Sequence, residues 1–272
     1  MMVRFIAALV GIAIVIPTLI FGGVLGVQIL TALIVTIGMN EYVTIAMGKE
    51  STFGIRSWMI ALSLLVWYGF VFVPLHSTSF LLGASIVLFL SSLFLFSTNE
   101  RGAKGLYRLG TGLIYIPILS SYIVSLRSIS NSDSSDIGLM WIFLLLTITW
   151  CGDTGAYFAG RFLGKRKLFP RVSPKKTIEG ALGGYVMALI GASVVKYLVL
   201  PEVSWAHLIL CTICINTTGI LGDLIESMLK REAGVKDSGN IMPGHGGILD
   251  RVDSLLFTAP TAWLYATLFI YV

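Results

Sequence analysis

The chain has 272 residues, of which 56% are hydrophobic and 12% charged, with 19 Lys and Arg against 14 Asp and Glu. A mean hydropathy of +0.88 excludes an ordinary soluble globular domain, in which about half the residues are apolar and about a quarter charged. The reading is an all-α, polytopic integral membrane protein. Runs of roughly 20 apolar residues, the length a helix needs to cross a bilayer, recur along the chain, and the alternation over about 10 residues typical of a membrane barrel is not seen.

Nine candidate spans follow one another, near 5–21, 24–47, 57–73, 79–96, 106–126, 138–160, 178–200, 206–229 and 252–272. Arg4 ahead of the first run resembles a signal peptide, but the run is long for one and has no clear small-residue cleavage site, so it is read as a helix. Cys151, Cys211 and Cys214 lie inside apolar runs and read as small hydrophobes. The CxxC that the last two form has no second ligand pair. Of the 19 Lys and Arg, only Arg127 and Lys196 fall near ends assigned to the outside, leaving 17 at the N-terminus and in every second loop. This asymmetry predicts a cytoplasmic N-terminus and places loops 161–177 and 230–251 in the cytoplasm.

One continuous membrane domain is expected, with scaffold helices over 1–127 and a working half over 128–272. The division rests on ionisable groups inside spans. Before residue 127 there is almost none except Glu41, whereas later spans carry Asp153, Glu179, Asp223 and Glu226. A carboxylate at membrane depth costs about 2.5–3.5 kcal/mol on insertion scales and is a functional candidate by default.

Asp223 is the sharpest of these. Ser227, Lys230 and Arg231 follow at i+4, i+7 and i+8, so one helix face offers a carboxylate, a hydroxyl and two cations. Lys230 and Arg231 also read as membrane-edge anchors. Asp250 and Asp253, spaced i, i+3 at the start of the last helix, either cap that helix or point into one site. With Asp223 they form a set of oxygen ligands suited to Mg²⁺, which is bound through one or two carboxylates plus substrate phosphates.

Ahead of Asp250 runs Pro243-Gly244-His245-Gly246-Gly247. Gly246 and Gly247 allow backbone N–H groups to approach a phosphate, and His245 either meets a phosphate, donates a proton or braces the turn. In the preceding cytoplasmic loop, Arg161, Lys165, Arg166 and Lys167 read first as a stop signal against anionic lipid. Further on, Ser173-Pro174 starts a turn and Pro174 to Thr177 is expected to open a helix. Its N-terminus, with Lys175, Lys176 and Thr177, then forms a phosphate grip with Glu179 close behind. Gly152, Ala156 and Gly160 at four-residue spacing invite a second helix to pack closely. Asp153, on a neighbouring face, orients a lysine or a substrate hydroxyl. Glu41 has no visible partner in the sequence, and a buried brace and a substrate contact both stay open.

The stretch from Ser227 to Asp253, SMLKREAGVKDSGNIMPGHGGILDRVD, resembles the signature of phosphatidate cytidylyltransferases, also called CDP-diacylglycerol synthases. SPKKTIEGALGG from Ser173 to Gly184 and the stretch from Trp150 to Gly164 are similar to two further segments of that family. The likeness is close in the second half and rests on hydrophobic architecture in the first. It implies transfer of a cytidylyl group from CTP to phosphatidate with Mg²⁺ required, a second cation being compatible, in a multi-pass inner-membrane enzyme that is commonly a homodimer and has no nucleic-acid partner. By analogy with other phosphate-transfer sites, Asp223 and Asp250 would hold the metal, with Asp253 a ligand or a supporting partner. Lys175, Lys176, Lys230, Arg231 and Lys236 would neutralise the leaving pyrophosphate and the lipid phosphate. Two rival readings stand beside it. One is an ion-coupled transporter, disfavoured by the one-sided ionisable groups and the lack of an internal repeat; the other is a related CTP-dependent lipid kinase.

Overall fold

The computed structural model describes residues 2–95, 99–130, 136–242 and 246–270, and the side chains of these except for 2–10, 95 and 99–102. Nine α-helices make up the described chain: α1 (Met2–Phe21), α2 (Gly23–Met47), α3 (Phe53–Phe72), α4 (Ser77–Leu95), α5 (Asn99–Arg127), α6 (Ile137–Phe162), α7 (Ile178–Val199), α8 (Trp205–Glu232) and α9 (Leu249–Phe269). An antiparallel pair, β1 (Lys167–Phe169) and β2 (Ser173–Thr177), lies between α6 and α7. Seven of the helices, α2 to α8, are long and apolar enough to cross a membrane, and α1 contributes a shorter apolar stretch, Gly11–Phe21. The fold is thus all-α and polytopic. In α9, Asp250, Arg251, Asp253, Ser254 and Thr258 dilute the hydropathy at its start.

The chain divides into two compact units, residues 1–124 with 229–252 and residues 125–228 with 253–272. In the first unit α1, α2, α3 and α4 pack in sequence as neighbours. The helix α1 ends where Gly23 adopts φ +56, a left-handed conformation that favours glycine. The buried face of α2 runs Val27, Thr31, Ile34, Val35, Gly38, Met39, Tyr42 at helical spacing, and Leu25, Ile29 and Leu33 are exposed on the other side. An apolar face left outward is what a lipid-facing helix requires. Thr52 starts α3 by accepting a hydrogen bond from the Ile55 N–H at 3.2 Å. The Tyr42 ring lies against Gly112 on α5, and its hydroxyl donates to the Arg108 carbonyl at 2.8 Å. Arg108 in turn donates to the Ala46 carbonyl and pairs with Glu232 at 3.1 Å.

The second unit is organised around α6 and α7, whose backbones touch along their length. A Cβ added at Gly155 would lie 2.6 Å from the Gly183 carbonyl oxygen, and one at Gly184 would lie 3.0 Å from that of Gly152. One at Gly183 would overlap the Cβ of Ala159. The small-residue spacing read in the sequence therefore has its partner, and it is α7. At the start of α6, Asp136 accepts both Arg127 Nη1 and Nη2 at 2.6 Å and also caps the helix through the Leu139 N–H. Near the end of α7, Lys196 donates to the Pro201 carbonyl at 2.8 Å and sits over the Trp205 ring.

Candidate active site

The second unit contains a cavity of about 460 Å³ at the end of α6 where Arg161 lies. Asp153, Tyr157 and Arg161 come from α6, Lys175 and Lys176 from β2, and Asp223 from α8. Its volume falls in the range of small-molecule sites, about 300–1,000 Å³. Three cations and two carboxylates face a wall otherwise made of small and apolar residues. A smaller space of about 20 Å³, enough for about one water, shares Asp153 and Gly219 with this cavity and adds Thr149, Asn216 and Thr258.

The two lysines reach the cavity on a strand. The residues Pro174 to Thr177 were expected to open a helix, yet β2 continues to Thr177 and α7 begins at Ile178. Thr177 is the N-cap, its hydroxyl accepting the Gly180 N–H at 3.0 Å. Two start signals compete here, Pro174 as first helical residue and Thr177 as cap, and the cap prevails because its β-branched side chain sits readily in the extended conformation an N-cap needs. The hairpin is held back to α7 by Glu179, whose carboxylate accepts the N–H groups of Lys165 at 3.0 Å and Arg166 at 3.1 Å. In addition, the Ile178 N–H donates to the Arg166 carbonyl at 2.9 Å. Glu179 is thus a fastener of the hairpin that carries Lys175 and Lys176.

Lys176 Nζ lies 2.8 Å from Asp223 Oδ2, with side-chain exposures of 24% and 34%. Ser227 Oγ donates to the other oxygen of Asp223 at 3.2 Å. Asp153 lines both spaces, and Arg161 donates to the Tyr157 hydroxyl at 2.9 Å. Tyr157 lines the cavity with Asp153, whose helix face it was expected to share, whereas Asn216 had drawn no expectation. Asn216 is buried, with its Oδ1 against Gly152 and its Nδ2 without a hydrogen-bond partner.

The first unit holds the motif from Lys230 to Asp250, and Asp253 returns to the second. Lys230 Nζ donates to Asp250 Oδ1 at 2.6 Å, and both side chains are at least 90% buried, with 10% and 5% exposed. The other oxygen, Oδ2, accepts three donors: Ser238 N at 2.7 Å, Gly247 N at 2.8 Å and Ser238 Oγ at 2.9 Å. Burial pushes the Asp250 carboxyl up, but Lys230 and the N–H groups of Gly247 and Ser238 outweigh it and hold the group below the ordinary carboxylate range. Gly246 adopts φ +85, as the glycine-rich turn predicts. However, the anion that the Gly247 N–H meets is the protein's own Asp250, where a phosphate had been expected. Arg231 donates to the Val235 carbonyl at 2.8 Å and closes the end of α8, and Lys236 is exposed. Asp253 is half-buried and accepts the N–H of Ser254. Pro243, Gly244 and His245 lie outside the described residues.

Glu41 is the residue whose partners the sequence did not reveal. It is 4% exposed and accepts Ile248 N at 3.0 Å, Leu249 N at 2.9 Å and Ser238 Oγ at 3.1 Å.

The model of the cytidylyltransferase family matches residues 2–269. The chain belongs to the cytidylyltransferase family. It is 34% identical over 269 residues to the phosphatidate cytidylyltransferase of Staphylococcus saprophyticus, a match covering 96% of each chain. The protein of that name from Synechocystis is 35% identical over 291 residues, covering 97% of this chain and 96% of the other. A 46% identical match to that of Bacillus subtilis covers 57% of this chain and 56% of the Bacillus protein, so it spans little over half of that relative. Membership of the cytidylyltransferase family makes the chain a nucleotidyltransferase and sets the transporter reading aside.

A cytidylyltransferase uses CTP and, as the family implies, a divalent cation. Among the described residues no group of three or more His, Cys, Asp or Glu is gathered as a metal cage. Mg²⁺ does not need one, because it keeps waters and shares substrate phosphates. Asp223 fits it: two donors are on its oxygens and it opens on the cavity. Asp250 fits through Oδ1, which accepts Lys230 Nζ, whereas among the described residues Oδ2 is filled by three donors. In each case a lysine ammonium now lies against the carboxylate.

Proposed function

We propose that the chain catalyses attack of a phosphatidate phosphate oxygen on the α-phosphorus of CTP. A new P–O bond forms, the α–β phosphoanhydride bond breaks, and pyrophosphate leaves with the electron pair, giving CDP-diacylglycerol. The observation that carries the reading is the cavity of about 460 Å³ in which Arg161, Lys175 and Lys176 face Asp153 and Asp223, in a chain whose near full-length relatives bear the name of this activity.

The attacking oxygen is already anionic near neutral pH, so no general base is obligatory. The work left to the protein is positioning and charge neutralisation. Lys175 and Lys176 neutralise the nucleotide phosphates, and the hairpin fastened by Glu179 holds them at the cavity. Lys176 has a carboxylate partner at rest, so the arriving triphosphate draws it from Asp223 and frees that carboxylate. We assign Asp223 as a cation ligand at the cavity of the second unit, with Asp253 in support, and Oδ1 of Asp250 as a cation ligand within the first unit, Mg²⁺ being the ion proposed. When bound, the ion supplies charge neutralisation at the transferring phosphoryl group. Lys230, Arg231, Lys236, Ser173, Thr177, Ser227, His245, Gly246 and Gly247 complete the proposed set. The chain acts as a homodimer in the inner membrane, with the site open to the cytoplasm, where CTP is, and to the bilayer that holds the lipid acceptor.

The test is the fate of label. Purified protein in vesicles with phosphatidate and Mg²⁺ should move label from α-labelled CTP into lipid and leave γ-label in pyrophosphate. Lipid carrying only γ-label would identify a kinase and overturn the proposal.

A further inference from the structure

Glu41 is the only charged residue of α2 and is 4% exposed, so its burial requires compensation. Among the described residues its three hydrogen-bond donors come from one distant segment: Ile248 N and Leu249 N at 3.0 and 2.9 Å, and Ser238 Oγ at 3.1 Å. The two amides open α9, where N–H groups have no partner within the helix. A carboxylate from another helix therefore does the work of a cap for the turn that carries Asp250.

Ser238 extends the link. Its single hydroxyl hydrogen faces Glu41 Oε2 at 3.1 Å and Asp250 Oδ2 at 2.9 Å, and its Oγ accepts the Asp250 N–H at 3.2 Å. The backbone is shaped to this cluster. A Cβ at Gly239 would lie 2.6 Å from Glu41 Oε1, and one at Gly247 would overlap both Glu41 Oε2 and Ser238 Oγ.

We infer that Glu41 is a positioning residue for Asp250: it aims Oδ1 by fixing the first turn of α9 through two amides and the opposite oxygen through Ser238. The inference rests on the assignment of Asp250 as a cation ligand. A mere brace would affect stability alone, whereas a positioning residue also affects cation binding. Outer partners of metal ligands typically change affinity by about 10–100-fold.

The experiment measures Mn²⁺ affinity by electron paramagnetic resonance, without CTP, on the full chain in detergent, together with its melting temperature. Glu41→Gln should weaken Mn²⁺ binding by about 10-fold or more. Ser238→Ala leaves the Glu41 contacts to α9 in place and should weaken it in the same direction, which keeps the test decisive even if Glu41→Gln does not fold. Folded variants with wild-type Mn²⁺ affinity would reduce Glu41 to a brace and overturn the inference. Asp250→Asn is the check on the underlying assignment. If it binds Mn²⁺ like wild type, the ligand role of Asp250 falls, an outcome separate from failure of the Glu41 link.

Discussion

Lys176 and Asp223 meet at 2.8 Å across the wall of the cavity, the lysine from a strand and the carboxylate from the membrane helix α8. Both are partly exposed, at 24% and 34%, and a pair that water reaches contributes only about 0–1 kcal/mol to stability. Under the proposed function, its value lies in keeping each charge partnered until a phosphate and a cation arrive.

Asp223→Asn should therefore separate activity from folding. The melting temperature in detergent should change by the small amount expected for a pair worth about 1 kcal/mol or less, while the initial rate of label transfer falls by about 100-fold or more. Near-normal turnover in the folded variant would remove Asp223 from the proposed cation site.

The buried pair behaves in the opposite way. Lys230 and Asp250 are 2.6 Å apart with 10% and 5% of their side chains exposed, and removing one partner of such a pair typically costs about 3–5 kcal/mol because the other is left buried and charged. Lys230→Met should lower the melting temperature strongly, and adding Asp250→Asn should recover part of the loss. A double-mutant cycle that sums without coupling would contradict the pairing.

The same pair gives a pH dependence with a definite sign. The Asp250 carboxyl is held below the ordinary range, so the stability it contributes is fully present above the unfolded value of about 3.9. That contribution is lost as pH falls through the lower folded value. Melting curves between about pH 5 and pH 3 should show a steeper loss for wild type than for Asp250→Asn, and parallel losses would rule this contribution out.

What could be read in advance depended on how local the signal was. A carboxylate in an apolar run marks itself, so Asp223 was visible; Asp250 stood out by its i, i+3 spacing from Asp253, and four-residue small-residue spacing gave the close packing of α6 without naming α7. The partner of Glu41 was not legible, because Ser238, Ile248 and Leu249 lie about two hundred positions away and no periodicity connects them. At Pro174 to Thr177 the local signals conflicted and the cap at Thr177 decided. At Gly246 and Gly247 the backbone geometry was legible, but the anion it serves is Asp250, only three residues on, whose carboxylate turns back to the Gly247 N–H.

The contact of α6 with α7 should tolerate no added bulk. Gly183→Ala places a Cβ onto that of Ala159, and overpacking of this kind costs about 1–3 kcal/mol. Gly110→Ala is the control, since nothing lies within 4 Å of its added Cβ. Both helices line the cavity, so the Gly183 variant should also raise KM for CTP. Equal melting temperatures for the two variants would show that the helices are free to separate.

Glu179 provides the test of whether the hairpin is part of the nucleotide site. Its carboxylate holds the N–H groups of Lys165 and Arg166 and so ties the start of the hairpin to α7. If Lys175 and Lys176 bind the triphosphate, loosening that tie weakens binding before it affects the chemical step. A hydrogen bond to a charged group contributes about 1.5–3 kcal/mol, and the lower end of that range corresponds to about a tenfold change in affinity. Glu179→Ala should therefore raise KM for CTP by about 10-fold while kcat stays within about 3-fold, since an interaction made equally in ground and transition states affects KM alone. Steady-state rates over a CTP series, at saturating phosphatidate in mixed micelles, separate the two constants. A collapse of kcat at unchanged KM would mean that the hairpin positions the reacting atoms, and the grip on the nucleotide would then have to be sought elsewhere in the cavity, with Arg161 the next cation to test.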